Sequence, residues 1–137
     1  MKRKALLFAA LGVLLIVALT GCRFEKPDLI PFSSTVQFCD LDGGGNLLVR
    51  VKNVGAGVSP NVHIQVVFFL SGGATKAERP ALGTGALNPG QTSLAIPVPI
   101  PPGCYNPDCD FRITVDALNE AKESDEGNNT VDGSCLG

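Results

Sequence analysis

Cys109-Asp110-Phe111-Arg112-Ile113-Thr114-Val115-Asp116-Ala117-Leu118-Asn119-Glu120-Ala121-Lys122-Glu123-Ser124-Asp125-Glu126-Gly127-Asn128-Asn129 carries the clearest pattern in the chain. On an extended backbone Phe111, Ile113, Val115 and Ala117 fall on one side, and Arg112, Thr114 and Asp116 on the other. A period of two marks a strand with one buried and one wet face. Beyond Ala117 the sequence turns acidic, and Asn128-Asn129 leads into Thr130-Val131. The expectation is a strand, a polar loop and a return strand.

The same alternation recurs upstream. Leu47, Val49 and Val51 alternate with Leu48, Arg50 and Lys52. Val62, Ile64, Val66, Phe68 and Leu70 share a core face, opposite His63, Gln65, Val67 and Phe69. Val67 and Phe69 are either covered by a neighbouring loop, the preferred expectation, or form an exposed apolar strip. In residues 92–100, Leu94, Ile96, Val98 and Ile100 read as inward and Ala95, Pro97 and Pro99 as outward. Two prolines on one side place this strand at a sheet edge. Pro27-Asp28-Leu29-Ile30-Pro31 reads as a second, broken edge strand, continued by residues 35–38. Residues 71–85 read as a loop or weak edge strand. Asp40-Leu41-Asp42-Gly43-Gly44-Gly45-Asn46 is a turn rather than a calcium loop, since its twelfth position is Val51 and not Glu. Short strands separated by Gly and Pro, with no helical period outside the leader, define an all-β sandwich.

Three pieces in order carry a family resemblance. They are Val49-Arg50-Val51-Lys52-Asn53-Val54-Gly55, Leu87-Asn88-Pro89-Gly90-Gln91-Thr92, and the closing Glu123-Ser124-Asp125-Glu126-Gly127-Asn128-Asn129. Together they resemble the CARDB domain, the cell adhesion related domain found in bacteria, over residues 27–129. The resemblance implies an immunoglobulin/fibronectin-III-like β-sandwich of about seven antiparallel strands in an extracytoplasmic bacterial protein. It implies no fixed ligand, because a scaffold defines the family.

The N-terminus points to export. Met1-Lys2-Arg3-Lys4 precedes an apolar run that is shorter than a membrane span and ends in Leu19-Thr20-Gly21-Cys22. This resembles a lipoprotein lipobox, with Cys22 taking the lipid and becoming the new N-terminus. The expected organisation is a signal peptide at 1–21, a tether at 22–27 and one domain at 28–137. Several acyl chains make such an anchor lasting, since each buried CH₂ contributes about 0.8 kcal/mol. Arg23 follows the cysteine, which in a cell with two membranes points to the outer one.

Three of the 11 cationic residues leave with the leader, so the mature chain is more acidic than the net −2 of the whole. With no Lys/Arg cluster, nucleic acid is an unsuitable partner. Setting Cys22 aside, Cys39, Cys104, Cys109 and Cys135 make an even number for an oxidising compartment. Two disulfides are expected, at the pole opposite the acidic loop. The preferred pairing is Cys39–Cys104 with Cys109–Cys135. Cys104–Cys109 with Cys39–Cys135, and Cys39–Cys109 with Cys104–Cys135, remain open.

The acidic loop offers the one cluster of hard oxygen donors. Asp116, Glu123, Asp125 and Glu126, with Glu120, Asn128 and Asn129 nearby, are the residues that would ligate Ca²⁺. The preferred alternative is that they accept backbone N–H bonds within the hairpin, with no metal or other cofactor. His63 is the sole histidine and has no second metal ligand or nucleophile beside it in the sequence. The chain is therefore expected to be no enzyme. It reads as a lipid-anchored binding or adhesion module of the cell envelope, or else a structural accessory subunit of a larger envelope complex. Its contact surface is expected at the loop tips away from the disulfides or along Val67 and Phe69, its partner being a protein or glycan.

Overall fold

The computed structural model describes residues 24–137. Residues 1–21, expected as a signal peptide, and Cys22, expected to carry the lipid, lie outside them. Seven strands follow one another: β1 Leu29–Phe32, β2 Asn46–Asn53, β3 Gln65–Phe69, β4 Thr75–Glu78, β5 Ile96–Pro99, β6 Cys109–Thr114 and β7 Thr130–Cys135. A single 3₁₀ turn, Ser71–Gly73, links β3 to β4. The strands form two antiparallel sheets, ordered β1-β2-β5 and β4-β3-β6-β7. The fourth strand thus pairs with β3 in the larger sheet, unlike the constant-type immunoglobulin arrangement, where it joins the other sheet.

Alternation decides which face each strand buries. Leu47, Val49 and Val51 of β2, with Leu29, Ile96 and Val98, form one inner layer. Val66, Phe68, Phe111 and Ile113 form the other. The rings of Phe68 and Phe111 meet across β3 and β6, tilted by 59° with centroids 6.0 Å apart, a favourable edge-on geometry. Gly133 faces Phe111, where a Cβ would collide with the ring and with the Gln37 carbonyl. As expected from Pro31, Pro97 and Pro99, β1 and β5 are the outer strands of the three-stranded sheet.

Four local expectations need correction. Residues 35–38 form a turn rather than an extension of β1. Leu94 is 88% exposed, and Ser93 is buried in its place. The cause is an extra residue in the edge strand. Lys52 faces Thr92 and Val49 faces Ile96, so three steps along β2 match four along the partner. A bulge of this kind flips the side-chain parity. The Ser93 hydroxyl, turned inward, accepts a bond from the Val51 N–H at 3.0 Å. Asp116 is the third: read as an outward residue, it is buried, because the chain leaves β6 there with a φ of +49°.

The fourth correction concerns the cysteines. Cys39 bonds Cys135, and Cys104 bonds Cys109, in place of the preferred Cys39–Cys104 and Cys109–Cys135. Cys109 and Cys135 do face each other across β6 and β7. However, the β1–β2 connection swings over to the second sheet, where the Gln37 carbonyl accepts the Ser134 N–H at 3.0 Å. That brings Cys39 to Cys135, with Cα atoms 5.2 Å apart. The short β5–β6 connection folds Cys104 onto Cys109, with Cα atoms 4.8 Å apart.

At the other end of the sandwich, the fully buried Asn53 closes β2. Its Nδ2 donates to the carbonyls of Gly57 and Leu87, at 2.8 and 2.9 Å. Its Oδ1 accepts the N–H groups of Asp28 and Gly55, at 3.1 and 3.0 Å. Leaving such partners unpaired in the interior costs more than the bonds gained.

Two stability outcomes follow from these contacts. Asn53→Ala is expected to destabilise the domain by about 3 kcal/mol, read from urea unfolding. Replacing Cys39 and Cys135 by Ser, a separation of 96 residues, is expected to cost about 4–5 kcal/mol. The same change at Cys104 and Cys109, only 5 apart, costs about half as much by the loop-entropy estimate.

Candidate functional site

The two ends of the sandwich differ in chemistry. At one end lie both disulfides. At the other, the β6–β7 loop gathers the carboxylates. Asp116 folds back over its own loop, its two oxygens accepting the N–H groups of Glu120 at 2.6 Å and Ala121 at 2.9 Å. Buried Glu123 reaches out of the loop to the first strand. Its Oε2 accepts the Leu29 N–H at 2.5 Å, and its Oε1 accepts the Asn129 Nδ2 at 2.9 Å. Glu126 Oε1 accepts the Glu123 N–H at 2.9 Å.

Asp116, Glu123 and Glu126 each place one carboxylate oxygen within 4.8 Å of the others. Asp125 does not belong to this group, contrary to its inclusion among the ligands read from sequence. It is exposed, and its Oδ1 accepts the Gly127 N–H at 2.8 Å, which turns it along the loop. Glu120 is drawn away too, accepting the His63 N–H at 2.7 Å and facing the His63 Nδ1 at 3.0 Å. The carboxylates thus do cap backbone N–H groups, and three of them also converge.

Burial pushes the Glu123 carboxyl above the usual range, and the nearby charges of Glu126 and Asp116 push the same way. The Leu29 N–H and the Asn129 amide oppose that rise. Glu120 moves the other way, held below the usual range chiefly by its bond to the His63 ring. Asn128 donates to Asp28 at 2.8 Å, and the Oδ1 atoms of Asn128 and Asn129 are buried without a hydrogen-bond partner.

The chain enters the domain at this same end. The Lys26 carbonyl accepts the Gly57 N–H at 2.9 Å, and the Pro27 carbonyl accepts the Ser124 N–H at 2.9 Å. Gly57 has no room for a side chain, because a Cβ would collide with the backbone of Glu25 and Lys26. Residues 25–29 are therefore held by the β2 end and by the acidic loop together.

Near the disulfides, a groove runs over the outer face of the larger sheet between Phe69, Asp110, Asp132 and Ser134, with Val36 and Gln37 along its rim. Phe69 is 40% exposed and Val67 half-buried, so loop cover over this pair is incomplete. Arg112 forms a two-pronged pair with Asp132 at 2.6 and 3.0 Å. His63 meets only Glu120 among the described acidic groups, with no nucleophile in that pairing.

Two packed antiparallel sheets of three and four strands make this an immunoglobulin-like sandwich. The chain belongs to the CARDB family, whose model matches residues 26–132, and is thus a cell-surface, adhesion-related domain by family. A domain described as part of a cell surface protein of Methanosarcina acetivorans has the same fold. It is 18% identical, with a TM-score of 0.54 over 81% of this chain and 91% of that one. A CARDB domain from Pyrococcus furiosus, solved in complex with di-metal ions, is 23% identical, with a TM-score of 0.44 over 82% and 94%. No curated protein matches the chain. Among the described residues no helix is long and apolar enough to cross a membrane.

The raised carboxyl sets a pH dependence. A group whose folded pKa exceeds its unfolded one binds protons more readily when folded, so it favours folding more as pH falls through that interval. Compared with the non-titrating Glu123→Gln, the wild type should therefore gain stability as pH drops from 7 to about 4, the unfolded glutamate range. Thermal unfolding of both proteins across this interval, without added metal, measures the difference.

Proposed function

We propose that the protein is a lipid-anchored, non-catalytic binding module of the cell envelope, and that it presents its disulfide end to a partner. Support for the anchor is the sequence Leu19-Thr20-Gly21-Cys22 behind a charged and apolar leader. Support for the orientation is the packing of residues 25–29 against the acidic end. From Cys22 to Lys26 a fully extended backbone reaches about 14 Å. An acyl group on Cys22 keeps the acidic end within that distance of the bilayer surface. The exposed loop tips assigned to the partner from sequence then face the membrane. The groove beside Phe69, rimmed by Val36, faces away from it and is the better contact surface. The partner on this reading is a protein or glycan of the cell surface.

An accessory subunit joining by strand addition at β4 has less support. That edge is exposed, but it carries Lys76 and Glu78, charges of the kind that protect sheet edges from pairing.

Fractionation and vesicle reconstitution test this reading. The wild type should partition with the membrane and Cys22→Ala with the soluble fraction. With the lipidated protein on vesicles, a fluorophore at residue 126 should be quenched by labelled headgroups more strongly than one at residue 72. Equal quenching rejects the orientation, and membrane retention of Cys22→Ala rejects the anchor.

A further inference from the structure

We propose that Asp116, Glu123, Glu126 and Asn129 form a binding site for a hard divalent cation of the Ca²⁺ type, which fastens the β6–β7 loop to the start of β1. Three carboxylates converge, one oxygen from each lying within 4.8 Å of the others. Oxygens around one Ca²⁺ at the usual 2.3–2.6 Å stand at such separations. Negative charges this close repel one another, and two of the three belong to buried residues. A cation removes the repulsion without breaking the bonds in place, because a carboxylate oxygen that accepts one N–H keeps a second lone pair.

The second observation concerns a neutral side chain rather than the carboxylates themselves. Asn129 is only 9% exposed, yet its Oδ1 has no hydrogen-bond partner. Its Nδ2 is bonded to Glu123 Oε1 at 2.9 Å, which keeps the carbonyl arm of the same planar amide near the Glu123 carboxylate. Buried amide oxygens are nearly always satisfied, and on this proposal the cation held by the neighbouring carboxylates is what satisfies this one. The donor set is all oxygen, with no sulfur or imidazole, which selects Ca²⁺-like ions over zinc. Four protein ligands fall short of the six to eight that Ca²⁺ takes, so water completes the shell through the open side at exposed Glu126.

The site does more than hold an ion. Glu123 also accepts the Leu29 N–H, and the neighbouring Ser124 and Asn128 bind Pro27 and Asp28. A cation on Glu123 therefore stiffens the point where the chain enters the domain. Magnesium, which demands a tighter octahedron and sheds water reluctantly, fits this loop less well.

The test uses the full chain purified in detergent, stripped with chelator and titrated with CaCl₂ or MgCl₂ in a calorimeter. One Ca²⁺ per chain is expected, with a Kd of about 10⁻⁴–10⁻³ M, the range of extracellular calcium modules. At 10 mM Ca²⁺ the Tm should rise by about 5 °C or more. Amide exchange at residues 27–30 should slow. Glu126→Gln, at an exposed position that leaves the core intact, should weaken Ca²⁺ binding tenfold or more, while Asp125→Asn should leave it unchanged. Absence of binding heat and of a Tm rise at 10 mM would overturn the proposal. So would an equal loss from Asp125→Asn and Glu126→Gln, which would indicate diffuse attraction of the ion to an acidic loop.

Discussion

The side-chain amide of Asn53 makes four hydrogen bonds, to Asp28, Gly55, Gly57 and Leu87. It replaces with one residue the backbone ladder that β2 loses where it ends. Three separate segments of chain converge on it, and all three must turn there for the two sheets to face each other. The Asn53 backbone takes part as well, donating to the Gln91 carbonyl and accepting from the Gly90 N–H. The start of β1, the turn after β2 and the approach to β5 are therefore fixed against a single buried amide. Hydrophobic burial favours many ways of stacking two sheets, and directional bonds of this kind select one.

The alternating strands were legible because burial of one face imposes a period of two on β2, β3 and β6. Proline likewise marked β1 and β5 as edges, since it removes a ladder donor. The bulge before Ile96 was not legible. Leu94 and Ile96 have the right spacing for a shared face, and only the pairing with β2 reveals the added residue. Asp116 escaped for a similar reason, as its parity is that of an outward residue until a left-handed turn moves it inside. The disulfides were foreseeable as two bonds, but not in their pairing. That depends on where residues 35–38 cross between sheets, a tertiary event without a local signal. Asn53 stood in the sequence as part of an Asn-x-Gly strand end, yet nothing in the sequence alone marked it as the most connected polar group.

The acidic loop joins two requirements that sequence reading kept apart. Its carboxylates bond the hairpin's own N–H groups, and through Glu123 they also bond β1. The charge that organises the loop therefore also sets how firmly the first strand is held. The five acidic side chains of the loop divide into Glu120, paired with His63 on the flank, three that converge, and Asp125 in solvent. The chemical contrast between the ends of the sandwich comes from this partition, with anionic and polar capping groups at one pole and apolar Phe69 beside oxidised sulfur at the other.

The long disulfide has a mechanical meaning. A tensile load entering near Lys26 and leaving near Cys135 follows the backbone through β1 to Cys39 and then crosses the sulfur–sulfur bond. The chain between the two cysteines, with five of the seven strands lying wholly inside it and β7 ending at its border, is short-circuited and carries none of the covalent tension. Only β1 can be peeled away, and it resists in shear along its whole pairing with β2. Pulled between Lys26 and Cys135, the domain gives up one strand and then behaves as an inextensible link.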